Sequence, residues 1–222
     1  MSITIYGIAA SRASRPLWVM EELQQPYSQI KTDYRVGDPR KPEFLAINPN
    51  GHIPAVDDDG IIVWESMACS LYLARKFTAS GVGQLGATNA NEEAQILRWT
   101  FWTVTEVEKD ALTVLMHRVA MPFDKRDETL AISAEKRLAV PLRVLESHLI
   151  EGAAKSEAYV AGQRFTVADI NVAAVVNWAR PAKLLMAQFP AVSKWLETCL
   201  ERPAYQRVKA MASADSKPKY EA

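Results

Sequence analysis

Asn48-Pro49-Asn50-Gly51-His52-Ile53-Pro54-Ala55-Val56, with Glu65-Ser66 a short distance on, is the stretch on which the fold of this chain turns. An Ile-Pro bond between a glycine turn and a short apolar run is a candidate cis peptide, since proline lowers the cost of cis to about 0.5–1 kcal/mol. A cis bond here turns the backbone of Ile53 outward, with its N–H and C=O open to an extended ligand. Glu65-Ser66 falls where a strand, Ile61 to Trp64, meets a helix, Met67 to Phe77. The serine at that junction is read as the helix cap, and the open N–H groups beside it as an anion site. A backbone docking edge close to a carboxylate pocket suits a small acidic peptide.

Outward from this stretch the first 77 residues alternate in type. Ile3 to Tyr6 is a short β-branched strand, and Arg15 to Leu23 a helix with Ser14 as candidate N-cap and Pro16 in its first turn. Tyr27 to Lys31 reads as a second strand and Pro42 to Ala46 as a short helix closed by Asn48-Pro49. Asp57-Asp58-Asp59-Gly60 is a hairpin turn between Ala55-Val56 and Ile61–Trp64. The order βαβαββα predicts a mixed sheet with helices on its faces. Residues 78–91 are rich in small and polar types and lack periodicity, so the chain divides into 1–78, a linker at 79–91, and 92–222.

The second part is all helical. Ala94, Leu97, Phe101, Val104, Val107, Ala111 and Leu115 recur at helical spacing, as do Leu138, Leu142, Leu145 and Leu149, with Pro141 predicting a kink. Val167 to Trp178 is apolar on nearly all sides, the pattern of a helix buried inside a bundle. Thr166-Val167-Ala168-Asp169 opens it with capping-box spacing, and Phe165 is placed to staple onto Ile170. Val192–Leu200 and Tyr205–Met211 are shorter helices parted by Pro203, and the polar tail, 212–222, is expected to fray.

The chain of 222 residues is 49% hydrophobic, ample for a packed core. Its 26 basic and 26 acidic residues offer no electrostatic reason for a nucleic-acid or anionic-membrane partner. The charge cluster from Arg35 to Lys41 reads as a solvated face. No signal-peptide pattern or membrane-spanning apolar run is seen, so a cytoplasmic location is expected. Cys69 and Cys199 lie far apart in helical segments and read as buried free thiols. His52, His117 and His148 share no metal-ligand spacing, and no metal is expected.

Four motifs stand in register here: Ser11-Arg12-Ala13-Ser14-Arg15, the Asn48-Pro49-x-Gly51-x-Ile53-Pro54 turn, Glu65-Ser66, and Phe165-Thr166-x-Ala168-Asp169. Together they resemble the cytosolic glutathione S-transferase family, and most of all its bacterial members with a serine in the catalytic loop; the class within the family stays open. The resemblance implies an α/β plus all-α architecture: a thioredoxin-like N-terminal domain followed by a C-terminal helical bundle, usually as a homodimer. It also implies glutathione as co-substrate and a small hydrophobic electrophile as second substrate. The reaction would be conjugation, or reduction of an organic peroxide. A glutathione-dependent isomerase or dehalogenase, and a non-catalytic binding or regulatory protein on the same scaffold, are the alternatives.

Conjugation needs the thiolate, and a thiol of pKa about 8.5 is only a few per cent ionised at pH 7. Lowering that pKa by ~2 units takes about 2.7 kcal/mol of differential stabilisation. A hydroxyl donating to the sulfur beside a helix N-terminus supplies most of it. By family position that hydroxyl is Ser11, with Ser14 as second choice. Both also suit helix capping, Ser14 better. Tyr6 lies within its strand and reads as core, and the loop carries no cysteine, which argues against redox branches of the family. The resemblance further implies that Ile53, held by Pro54, pairs with the cysteinyl backbone and that Glu65 and Ser66 hold the γ-glutamyl end. His52, Arg40 or Lys41 would meet the glycyl carboxylate. Thr166 and Asp169 are assigned to folding. The electrophile pocket would involve Leu112, Leu115, Met116, Val119 and Trp178.

Overall fold

A computed structural model of the chain describes residues 2–216. They form two compact units, one of Met1–Gly86 joined by the segment from Arg202 onward, the other of Ala87–Glu201.

The first unit is built on a four-stranded sheet of order β2-β1-β3-β4. Its strands are β1 (Ile3–Tyr6), β2 (Ser28–Ile30), β3 (Ala55–Asp58) and β4 (Ile61–Trp64). β1 pairs parallel to β2 and antiparallel to β3, and β3 antiparallel to β4, the mixed sheet expected. The hairpin turn is tighter than the run of aspartates suggests. Asp57 and Asp58 remain in β3, and only Asp59 and Gly60 turn, at φ 49° and 94°. The Asp57 carboxylate accepts the Gly60 N–H (2.7 Å), which holds the two-residue turn.

Three helices complete the crossover pattern: α1 (Ser14–Leu23), the single turn α2 (Pro42–Leu45) and α3 (Ser66–Ala79). Every residue from Arg15 to Met20 is buried, more than one face of a helix. The reason is that α1 is covered twice, by α3 and by α10 (Pro203–Asp215). α10 is fastened to α1 by three side-chain links. Arg202 binds Glu22 through Nε and Nη2 (2.7 Å each), Arg207 pairs with Glu21, and the Tyr205 ring packs tilted on Trp18 with centroids 4.7 Å apart. The tail therefore does not fray from residue 212: the helix continues to Asp215, which is buried, and the rest of the expected tail, 217–222, lies outside the described residues. The Arg35–Lys41 cluster is likewise ordered rather than merely solvated. Asp33 takes Arg35 in a fork and Lys41 pairs with Asp38.

The second unit opens with α4 (Ala90–Trp102), whose N-cap Asn89 accepts the Glu92 N–H. The helix starts inside the stretch read as linker and runs without a break to Ala120. It passes through a π-turn at Thr103–Val107, α5 (Glu108–Leu115) and a second π-turn at Met116–Ala120. The buried face of its first half is Ile96, Trp99, Thr100, Thr103 and Val107. The periodic series read from sequence holds in its second half, where Val107 and Ala111 are buried, but in the first half it follows another apolar stripe, in which Leu97, Phe101 and Val104 are 37%, 62% and 46% exposed. Two stripes of helical period coexist, and the widened turn at 103–107 rotates one against the other.

The remaining helices are α6 (Glu128–Ala153), α7 (Val167–Val176), the short α8 (Lys183–Met186) and α9 (Pro190–Leu200). Leu138, Leu142, Leu145 and Leu149 are buried as expected, and α6 carries Pro141 inside its length. All ten residues of α7 are buried, because α4, α5 and α9 each pack on it. Its capping box forms between Thr166 and Asp169. Asp169 also accepts from Val160 N–H (3.0 Å) and Trp195 Nε1 (3.1 Å), so one carboxylate joins the cap to a loop and to α9. Glu146 of α6 accepts the N–H groups of Ala191 and Val192, a carboxylate set on the positive end of α9. Both cysteines are free and buried. No described helix is long and apolar enough to cross a membrane.

Candidate functional site

One row of the sheet brings the site motifs to a common end. Tyr6 pairs with Ala55 and with Ile30, and Ala55 pairs with Trp64. The chain leaves Tyr6 into the Gly7–Ala13 loop, arrives at Ala55 from Ile53-Pro54, and leaves Trp64 into Glu65-Ser66. Gly7 lets two of these segments close up. At φ 142° it has the backbone of a glycine, and a Cβ there would stand 2.7 Å from the Ala13 Cβ and 3.4 Å from the Ile53 Cβ.

The Ile53-Pro54 bond is cis. Ile53 is half-buried, and its N–H and C=O have no hydrogen-bond partner among the described residues. The preceding turn is organised by Asn48, a buried side chain. Its Oδ1 accepts the Asn50 N–H (3.1 Å) and its Nδ2 donates to the His52 carbonyl (2.7 Å). The His52 side chain is exposed. Arg40 lies against this turn: its Nη1 donates to the Asn50 carbonyl (3.3 Å) and would sit 2.8 Å from a Cβ on Gly51. Lys41 turns away to Asp38 at 2.6 Å. That hydrogen bond holds the Asp38 carboxyl below its ordinary range and raises the Lys41 ammonium above its own.

At the start of α3 the sequence reading needs a correction. Ser66 is not the cap but the first helical residue; Glu65 occupies the N-cap, at φ 70° and ψ 116°, and makes no side-chain cap bond. The Ser66 hydroxyl, buried, accepts instead from Arg15 Nη1 at 2.7 Å. The N–H groups of Ser66, Met67 and Ala68 are the orphans of a helix start and have no partner among the described residues. A buried guanidinium one hydrogen bond from an open helix N-terminus makes a strong anion site. A non-glycine residue at positive φ, as Glu65 is, costs about 1–3 kcal/mol, and such residues cluster where a ligand is held.

The serine loop also departs from expectation. Ser14 is the first residue of α1, half-buried, and its hydroxyl makes no hydrogen bond among the described residues. The N-cap is Ala13. Neither serine caps the helix; Ser11 closes the turn ahead of it, its Oγ accepting the Ala13 N–H (3.0 Å) and donating to the Ile8 carbonyl (2.7 Å). An accepted N–H polarises the hydroxyl and strengthens it as a donor. Tyr6 is half-buried with its ring edge to Phe44 (6.2 Å), and burial followed by Asp57 pushes its phenol pKa up.

In the other unit, Leu112 and Leu115 of α5 are half-buried, Met116 and Val119 of the π-turn are exposed, and Trp178 is half-buried in the turn Asn177–Ala179, which packs on α5. None of the five is closed core. Arg15, through Ser66, and Asn48, through the turn before Ile53, also carry the site, with no role expected of them from sequence. An arginine in the first turn of an apolar helix and an asparagine opening an Asn-Pro-x-Gly turn are signals that could have marked them.

The fold class is that of a thioredoxin-like unit, with an open backbone edge and an open helix start, in one chain with a helical unit. Known sequences narrow it. The profile described as "Glutathione S-transferase, N-terminal domain" matches residues 1–75, and that described as "Glutathione S-transferase, C-terminal domain" matches residues 106–203. The chain belongs to the glutathione S-transferase family. It is 29% identical over 209 residues to glutathione S-transferase GstB of Escherichia coli, covering 93% of this chain and 97% of that one. Protein URE2 of Candida albicans is 27% identical over 219 residues, covering 85% of this chain and 64% of the other. Among solved structures, glutathione transferase F7 of Populus trichocarpa superposes with a TM-score of 0.83 at 26% identity over 95% of this chain and 99% of that one. The theta-class enzyme of Xanthomonas axonopodis pv. citri, solved with glutathione bound, gives 0.78 at 26% identity over 92% and 95%.

Proposed function

We propose that this protein is a glutathione transferase that joins the glutathione thiolate to small hydrophobic electrophiles, and that it works as a homodimer. The observation that carries the reading is the shared end of one sheet row, where the unpartnered Ile53 backbone, the open start of α3 with Ser66 and Arg15, and the Ser11 loop all emerge. Glutathione has matching parts. Its cysteinyl backbone would pair with Ile53, and its γ-glutamyl carboxylate would take the α3 amides and Ser66, with the amine at Glu65. Its glycyl carboxylate would meet Arg40 and His52; Lys41 is the weaker choice, being held by Asp38. The thiol then falls to Ser11, whose hydroxyl swings from the Ile8 carbonyl to the sulfur while Oγ keeps the Ala13 N–H.

Calorimetric titration with glutathione tests the site. Ser66→Ala removes a hydrogen bond to a charged group, about 1.5–3 kcal/mol, so its affinity should fall roughly 10- to 150-fold. Unchanged affinity would place the γ-glutamyl end elsewhere. Turnover with aryl halides, epoxides and organic hydroperoxides then separates conjugation from peroxide reduction. The likeness to URE2 favours one second reading, a glutathione-fold binding or regulatory protein. It predicts that bound glutathione keeps a thiol pKa near its free value and that no electrophile turns over.

A further inference from the structure

The last helical residue reaches the serine loop. Asp215 is buried, and its Oδ2 accepts the Ala9 N–H at 2.7 Å, across 206 positions of sequence. Its Oδ1 accepts from Lys31 Nζ at 2.8 Å. The Ala9 N–H and the Ile8 C=O belong to the same peptide group, which is planar and rigid. Asp215 therefore grips one side of the plane whose other side, the Ile8 oxygen, holds the Ser11 hydroxyl at 2.7 Å. The orientation of that plane sets where the hydroxyl rests and in which direction it can swing. A carboxylate on the N–H side also makes the bond charge-assisted, stronger than a neutral one.

We propose that Asp215 is a positioning residue: by fixing the Ile8–Ala9 peptide it sets the Ser11 hydroxyl for the thiol of bound glutathione. This rests on the reading of the unit as a glutathione site with Ser11 at the sulfur. The rest of the helix is held independently of the Asp215 side chain. Arg35 Nη2 donates to the Asp215 backbone carbonyl (2.7 Å), and Arg202, Arg207 and Tyr205 fasten the helix to α1. Removing the carboxylate thus frees the loop peptide and leaves the helix docked.

The test compares Asp215→Ala and Asp215→Asn with the parent by glutathione affinity, by the pH titration of thiolate absorbance of the bound peptide, and by kcat and KM. Asp215→Ala should keep the parent's circular dichroism and bind glutathione within about 3-fold, since the peptide ends are held elsewhere. Its bound thiol should titrate at higher pH, and kcat should fall between about 5- and 100-fold, the scale of a small misplacement. Asp215→Asn keeps an oxygen for the Ala9 N–H, while exposed Lys31 can turn to water, so it should recover most of the loss. The inference is overturned by a thiol titration and kcat in Asp215→Ala equal to the parent's. It is equally overturned if Asp215→Asn is as impaired as Asp215→Ala, or if Asp215→Ala does not fold. A parent that binds no glutathione overturns the functional reading itself and this inference with it.

Discussion

Ser11 holds two offices at once, and that makes its substitution distinguishable from that of Ser14. It accepts the Ala13 N–H at the start of α1 and carries the hydroxyl proposed for the sulfur. Ser11→Ala should therefore lower the chain's stability by about 1 kcal/mol through the lost turn hydrogen bonds, raise the pH at which bound thiol ionises, and cut turnover about 10- to 1000-fold. Ser14→Ala removes a hydroxyl without a described partner and should change denaturation by less than about 0.5 kcal/mol. Denaturant titration of both variants, with thiolate titration, checks this. If Ser14→Ala instead carries the loss of turnover, the sulfur lies one turn along. Sequence brings both serines into view as capping candidates, yet neither side chain caps α1, since proximity to a helix start does not decide capping. Which oxygen reaches an N–H depends on the φ/ψ path of the loop, and that path is set in part by Gly7 against Ala13 and Ile53. Ser66 was misread for the same reason: Arg15, in another helix, claims its hydroxyl.

Among the elements, α7 was the most legible and α10 the least. A run with no polar face has nowhere to sit but inside a bundle, and Thr166 with Asp169 marks its start in sequence. The same aspartate gives α7 a pH signature. Burial, outweighing four hydrogen bonds to the carboxylate, pushes its pKa up to about 6 from an ordinary value near 4. Between these values the unfolded chain is ionised while the folded chain still holds the proton. Stability from this group is then full below about pH 4, falls as pH rises toward 6, and is level above, by about 3 kcal/mol in all. Asp169→Asn, compared with the parent by thermal melting from pH 4 to 7, should lack that decline; parallel profiles would show that the carboxylate is ionised throughout. α10 was cut short because its last turn is polar: Asp215 is buried through hydrogen bonds to Ala9 and Lys31, and periodicity registers only apolar burial. On α4 and the π-turn after it the opposite holds, with Leu97, Phe101 and Val104 apolar and exposed.

For the whole molecule those exposed side chains motivate the homodimer. Sedimentation equilibrium at micromolar concentration should give twice the 24.7 kDa chain mass, and a single species at the chain mass would refute it. The division of the chain at a linker follows its order, whereas the compact units do not, since the first is completed from Arg202 onward. A chain ending at Glu201 uncovers Trp18 and loses buried Ala204 and Val208. It should be less stable by at least about 3 kcal/mol, roughly 6–12 °C in melting temperature. An unchanged melt would mean that α10 is dispensable to the unit it covers. Because α10 closes that unit, the order of synthesis matters. A growing chain folds from its N-terminus as it leaves the ribosome, at about 5–20 residues per second. The first 86 residues emerge early, yet the Trp18 side of α1 stays uncovered until residues 203–215 have been made and released from the exit tunnel. The first unit therefore waits, through the time needed to translate the whole helical unit, for the segment that completes it.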